Sequence, residues 1–161
     1  RILENYGEIT LAVELLTCNS MVENKEHRVS YIDSDWKVYT FSSADANYPS
    51  VLFELYGIAF ADLSNKIIVI DGDQTKDLTQ DHILAVEAHE ISHSRLDHAN
   101  RQIDHITQEK EADWLANNLL TSMNLITPAH LIRERYMSLY SEDISSLDDY
   151  MNLILAGLHL R

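Results

Sequence analysis

Residues 89–93 read His89-Glu90-Ile91-Ser92-His93, an HExxH sequence set among the small and apolar residues Leu84, Ala85, Val86, Ala88, Ile91 and Ser92. That pattern makes a buried central helix, N-capped by Thr79, with Gln80 and Asp81 in its first turn, and reaching about Asp97. Two imidazoles and a carboxylate buried in such a helix are costly unless something compensates them. A metal ion would do so.

The spacing has a physical reason. At about 100° per residue, His89 and His93 stand roughly 40° apart around the axis and one turn apart along it, so both imidazoles can reach a single zinc ion. Glu90 falls about 60° from His93, close to the ion but poorly placed to join its coordination plane. A carboxylate there can act as general base, taking a proton from a water that the metal has acidified.

Catalytic zinc usually takes three protein ligands, so a third should lie downstream. Glu109-Lys110-Glu111-Ala112-Asp113 supplies it. Glu109 and Asp113 share one face of the next helix, with Ala112, Ala116 and Leu120 on or beside that face. Glu109 is therefore read as the ligand, and Asp113 as an acceptor that orients a liganding imidazole through its other ring nitrogen. Glu111, about 200° away, is the alternative ligand if the helix is rotated from that estimate.

The remaining histidines have weaker claims. On a persisting helix His98 would point roughly 140° from His93. A metzincin pattern fails, because it requires Gly at the position of Leu96 and His at that of Ala99. His82 lies two turns from His89 and reads as a surface or cap residue. His105, between the two site helices, reads as a loop residue that could line the cleft and bond a developing oxyanion. His130, Tyr136 and Tyr140 are further candidate donors, and Cys18 reads as core.

Elsewhere, Ile9 to Met21 has a helix-compatible pattern. Residues Tyr31 to Phe41 and Ile58 to Asp71 are rich in aromatic and β-branched side chains and read as strands, the second stretch folding as a hairpin over Asp62-Leu63-Ser64-Asn65. Helices follow from about Thr107 to Ser122, from Thr127-Pro128, and from Ser145 or Ser146. A small, mainly antiparallel sheet followed by helices implies an α+β fold, packed as one domain over residues 1–161. With 12 Lys+Arg against 26 Asp+Glu the net charge is −14, which disfavours direct binding of nucleic acid or anionic lipid. No apolar run is long enough for a membrane span and no secretory signal pattern opens the sequence; with a lone cysteine, a reducing, cytoplasmic setting is expected.

With both motifs in view, the chain resembles the ImmA/IrrE-type zinc metallopeptidases, a gluzincin-like group. The resemblance runs from about Ile67 to Leu120 and rests on the strand Ile67-Ile68-Val69-Ile70, on Val86 to Leu96 with its HExxH, and on Glu109 to Ala116 with Leu119-Leu120. It departs from the family pattern where Asp97 stands between Leu96 and His98, and where Thr121-Ser122-Met123 replaces a Met-Pro ending. The resemblance implies a zincin-like fold, Zn²⁺ on His89, His93 and Glu109, and Glu90 as catalytic base. It also implies an intracellular endopeptidase with a protein substrate, several members of the family acting by cutting a helix-turn-helix repressor.

Two functions follow from these residues. One is a zinc-dependent endopeptidase; the other is a non-catalytic zinc-stabilised binding or sensor module. The second predicts a closed fourth metal position, filled by a side chain such as His98 or Asp97.

Overall fold

The computed structural model describes residues 20–159, and the chain falls into two compact units that divide between Thr79 and Gln80. The expected Ile9–Met21 helix and Cys18 lie outside the described residues, apart from residues 20 and 21, which are helical. The fold is α+β, with a small mixed sheet.

The first unit is built on strands β1 (Arg28–Val29), β2 (Lys37–Phe41), β3 (Ala59–Asp62) and β4 (Ile67–Asp71), in the order β1-β2-β4-β3. Pairing is antiparallel for β3 with β4, the expected hairpin, and for β1 with β2, while β2 and β4 run parallel. The parallel pair arises because β4 inserts between β2 and β3, so the chain must cross over before it returns to β2. Helix α1 (Ser50–Tyr56) lies within that crossover. Its seven residues are too few for a helical period to stand out in the sequence. Leu52, Phe53 and Tyr56 of α1 join Tyr39, Phe41, Phe60, Ile67 and Val69 of the sheet in one apolar cluster.

Local polar chemistry sets the ends of these strands. The expected strand from Tyr31 is instead a turn up to Trp36, because Ser30 Oγ accepts from the amides of Ile32 and Asp33, and Asp33 Oδ1 accepts from Asp35. The β3–β4 hairpin forms where expected, with Asp62 accepting from both the backbone and the side-chain amide of Asn65. Asp71 ends β4 and caps the short helix α2 (Gly72–Thr75), while Tyr48 and Gln74 also donate to it.

The second unit is helical: α3 (Gln80–Arg95), α4 (His105–Ser122), α5 (Ile126–Tyr140), a 3₁₀ turn (Ile144–Leu147) and α6 (Asp148–His159). Helices α3, α4 and α5 pack against one another. Ala88 of α3 and Ala112 and Ala116 of α4 are fully buried. Asp104 caps α4 by accepting from the Thr107 amide. Helix α5 begins at Ile126, ahead of the expected Thr127, and tolerates Pro128 because first-turn amides have no intrahelical acceptor. Asp143 opens the last helical stretch by accepting from Ser145, so the 3₁₀ turn precedes α6. Among the described residues no helix is long and apolar enough to cross a membrane.

Helix α3 ends in a specific way. Asp97 has φ 55°, the left-handed region, and the amides of Asp97 and His98 bond back to the carbonyls of Ser94 and His93. This is a Schellman closure, with Asp97 at the position that glycine or asparagine usually takes. Helix α4 closes likewise, with Asn124 at φ 60° and the amides of Asn124 and Leu125 bonded to Thr121 and Leu120.

Candidate metal centre

Helices α3 and α4 bring three donors together. Nε2 of His89 and Nε2 of His93 are 3.1 Å apart. Glu109 of α4 places Oε2 2.9 Å from His89 Nε2 and Oε1 3.7 Å from His93 Nε2. One ligand atom from each residue lies within 4.8 Å of the other two, so the group could hold a metal ion. Ligand bonds of about 2.0–2.1 Å in a tetrahedral site put donor atoms roughly 3.3–3.4 Å apart. The three separations, taken over both Glu109 oxygens, fall on either side of that spacing, and two imidazoles with one carboxylate suit a divalent cation.

The charges are arranged around the same point. Burial opposes protonation of His89, but the carboxylates of Glu109 and Asp113 outweigh it and raise its pKa to about 10. Glu109 would be raised by burial alone, yet His89 holds it well below the usual carboxylate range. His93 is pushed down by its complete burial and by His89. A proton on His89 thus sits among three donors that a cation could share. Glu90, next to His89 on α3, is buried, and desolvation raises its carboxyl pKa. That shift moves a carboxyl group toward the range useful for proton transfer near neutral pH.

Behind each imidazole stands a second polar group. His89 Nδ1 is 2.7 Å from Oδ1 of the fully buried Asp113, whose Oδ2 accepts from Arg135 at 2.5 Å. Asp113 therefore lies against the His89 ring nitrogen remote from Glu109. His93 Nδ1 is 2.7 Å from Nδ1 of His98, also fully buried. His98 Nε2 is 3.0 Å from Glu111 Oε1. Glu111 accepts from both Arg101 amino nitrogens, at 2.6 and 3.0 Å, and from the Tyr150 hydroxyl at 2.8 Å. Glu111, the alternative ligand, thus faces His98 and Arg101, while Glu109 faces the two α3 histidines.

The contact between His93 and His98 is not foreseen by helical periodicity. Extrapolating α3 through residue 98 points the His98 ring away from His93, whereas the closure at Asp97 turns the backbone back. The available sequence signal is Asp97 itself, a residue that tolerates the left-handed conformation.

The other candidates are dispersed. His105 opens α4 and, though exposed, places Nε2 3.8 Å from Glu109 Oε1. His82 lies in the first turn of α3. His130 is exposed and pairs with Glu134 at 2.9 Å. Tyr136 is buried and donates to Glu142. Tyr140 packs edge-on against Tyr136 at 4.8 Å between centroids, and burial, then Asp113 and Glu109, raise its pKa.

No family model matches the chain, and neither a curated protein nor a solved structure is detectably similar to it.

Proposed function

We propose that the protein is a zinc-dependent endopeptidase of zincin-like fold, acting on a protein substrate in the cytoplasm. The observation that carries this reading is the grouping of His89, His93 and Glu109 with the buried Glu90 beside it on the same helix as the two histidines. Zinc on those three donors would polarise a water molecule and a peptide carbonyl. With zinc held there, Glu90 would take the proton of the attacking water and deliver it to the departing amine, a role suited by its raised pKa. Asp113 holds the His89 imidazole through Nδ1, which leaves Nε2 for the metal that would bind there.

The binding-module reading needs a side chain such as His98 or Asp97 at the fourth position. His98 spends both ring nitrogens on His93 and Glu111, and Asp97 accepts from Asn100. The enzyme is therefore favoured. The resemblance to ImmA/IrrE-type metallopeptidases suggests a helix-turn-helix repressor as substrate, recognised as a protein and not through nucleic acid.

The test is cleavage of an unfolded-protein and peptide library by the zinc-loaded protein beside its Glu90→Gln variant. Cleavage by the first and its loss in the second, at equal zinc content, is expected. Equal cleavage by both would remove Glu90 from the mechanism, and absence of cleavage by either would return the site to a structural role.

A further inference from the structure

The hydrogen-bond chain behind His93 has a direction that can be read without reference to any ion. Glu111 receives Arg101 at both oxygens, together with the Tyr150 hydroxyl, so it is an ionised carboxylate and can only accept. His98 Nε2, 3.0 Å from Oε1, must therefore carry a hydrogen. The His98 ring is buried without exposed surface, and that burial favours its neutral form. A neutral ring with hydrogen on Nε2 has a bare Nδ1. At 2.7 Å from that bare nitrogen, His93 Nδ1 must be the donor. With hydrogen on Nδ1, neutral His93 keeps the lone pair on Nε2, the atom that faces His89 and Glu109.

We infer that His98 is a positioning residue for the metal centre: backed by Glu111, Arg101 and Tyr150, it fixes His93 in the tautomer and ring orientation that a cation requires. The more usual support of a metal-bound histidine is a carboxylate or a carbonyl, as Asp113 provides for His89. Here an imidazole is interposed between the ligand and its carboxylate. The two ligands thus have unlike backing, Asp113 acting directly on His89 and Glu111 acting on His93 one ring removed.

The inference rests on the metal site proposed above, and its test separates the two. The metal-free wild-type protein, labelled with ¹⁵N in histidine, is expected to show His93 protonated at Nδ1 and His98 at Nε2 in long-range ¹H–¹⁵N spectra. The opposite tautomers would overturn the relay whether or not zinc binds. Zinc affinity is then measured by chelator competition in the wild type, His98→Leu and His98→Asn, with circular dichroism confirming that each is folded. Loss of the acceptor in His98→Leu should weaken zinc binding 10- to 100-fold. His98→Asn, whose side-chain oxygen can stand near the position of Nδ1, should recover much of that loss. Affinity within twofold of wild type for a folded His98→Leu protein, or equal weakening in the two variants, would overturn the positioning role. Wild-type protein that binds no zinc would sink the proposed function, and the tautomers seen in the metal-free protein would then decide by themselves whether the relay exists.

Discussion

Nδ1 of His89 and Oδ1 of Asp113 lie 2.7 Å apart, joining α3 to α4 through a carboxylate that has no exposed surface and whose other oxygen is held by Arg135. Asp113→Asn keeps an oxygen for His89 but removes the charge that pairs with Arg135. Zinc affinity should fall 10- to 100-fold, read by competition with a chelator of known affinity. An unchanged affinity would mean that the carboxylate charge does not tune the site.

Metal should tie α3 to α4, because its donors come from both helices. Free zinc at 100 times its Kd should stabilise the folded protein by about 2.7 kcal/mol, raising the melting temperature by roughly 5–10 °C. His93→Ala should abolish both the shift and the stoichiometric zinc found by metal analysis. Equal zinc in the two proteins would place the metal elsewhere.

Zinc uptake at pH 7 should release at least one proton. His89, with its pKa raised to about 10, is protonated there, and the metal must displace that proton to reach Nε2. Calorimetric titration in buffers of different ionisation enthalpy reads the number directly, and a buffer-independent heat would count against it. The sign for the metal-free protein follows from the same shift. Protonated His89 contributes stability that is complete below about pH 6.5 and is lost as the pH rises through 10.

Part of the effect of acid should come through Glu111. Burial would raise its pKa, but His98, Arg101 and Tyr150 together hold it at about 2, below the unfolded value of 4.5. Its contribution, on the order of 3 kcal/mol, is complete above pH 4.5 and disappears as the pH falls through 2. Urea melts should therefore show a wild-type advantage over Glu111→Gln at pH 6 that narrows steadily toward pH 2. A gap independent of pH would assign the loss to packing.

The closure of α3 should tolerate glycine and resist a branched side chain. Asp97→Gly relieves the left-handed backbone at the cost of the hydrogen bond to Asn100, so its net effect should stay within about 1 kcal/mol. Asp97→Val should destabilise by about 1–2 kcal/mol and loosen His98 from His93. Thermal melts and the His98 ring resonances check both. A stable Asp97→Val protein with an undisturbed His98 would show that the turn does not depend on residue 97.

Much of the site is legible in the sequence because its donors obey helical spacing. His89 and His93 are four apart on α3, Glu109 and Asp113 four apart on α4, and each pair occupies one face of its helix. The sheet's hairpin is likewise legible, since Asp62 and Asn65 form the turn through bonds that those residue types favour. What periodicity does not carry is long-range pairing. The parallel register of β2 with β4 depends on which strand inserts between which, and no local pattern in Lys37–Phe41 records it. The roles of Glu111, Arg101 and Tyr150 depend on where three separate segments meet.

The left-handed residue at the end of α3 changes how distances along a sequence translate into distances in space. On an uninterrupted helix, positions five apart diverge by about 140° and do not meet. With a closure between them they touch, as His93 and His98 do. One consequence concerns insertions. The span from His93 to His98 admits no change of length, since one added or deleted residue would carry His98 off the ring it supports. Beyond Arg101, where only Gln102 and Ile103 lead to the cap of α4 at Asp104, the same change would be absorbed at lower cost. The spacing of the centre is thus written in two kinds of segment, one of fixed count and one that only has to reach.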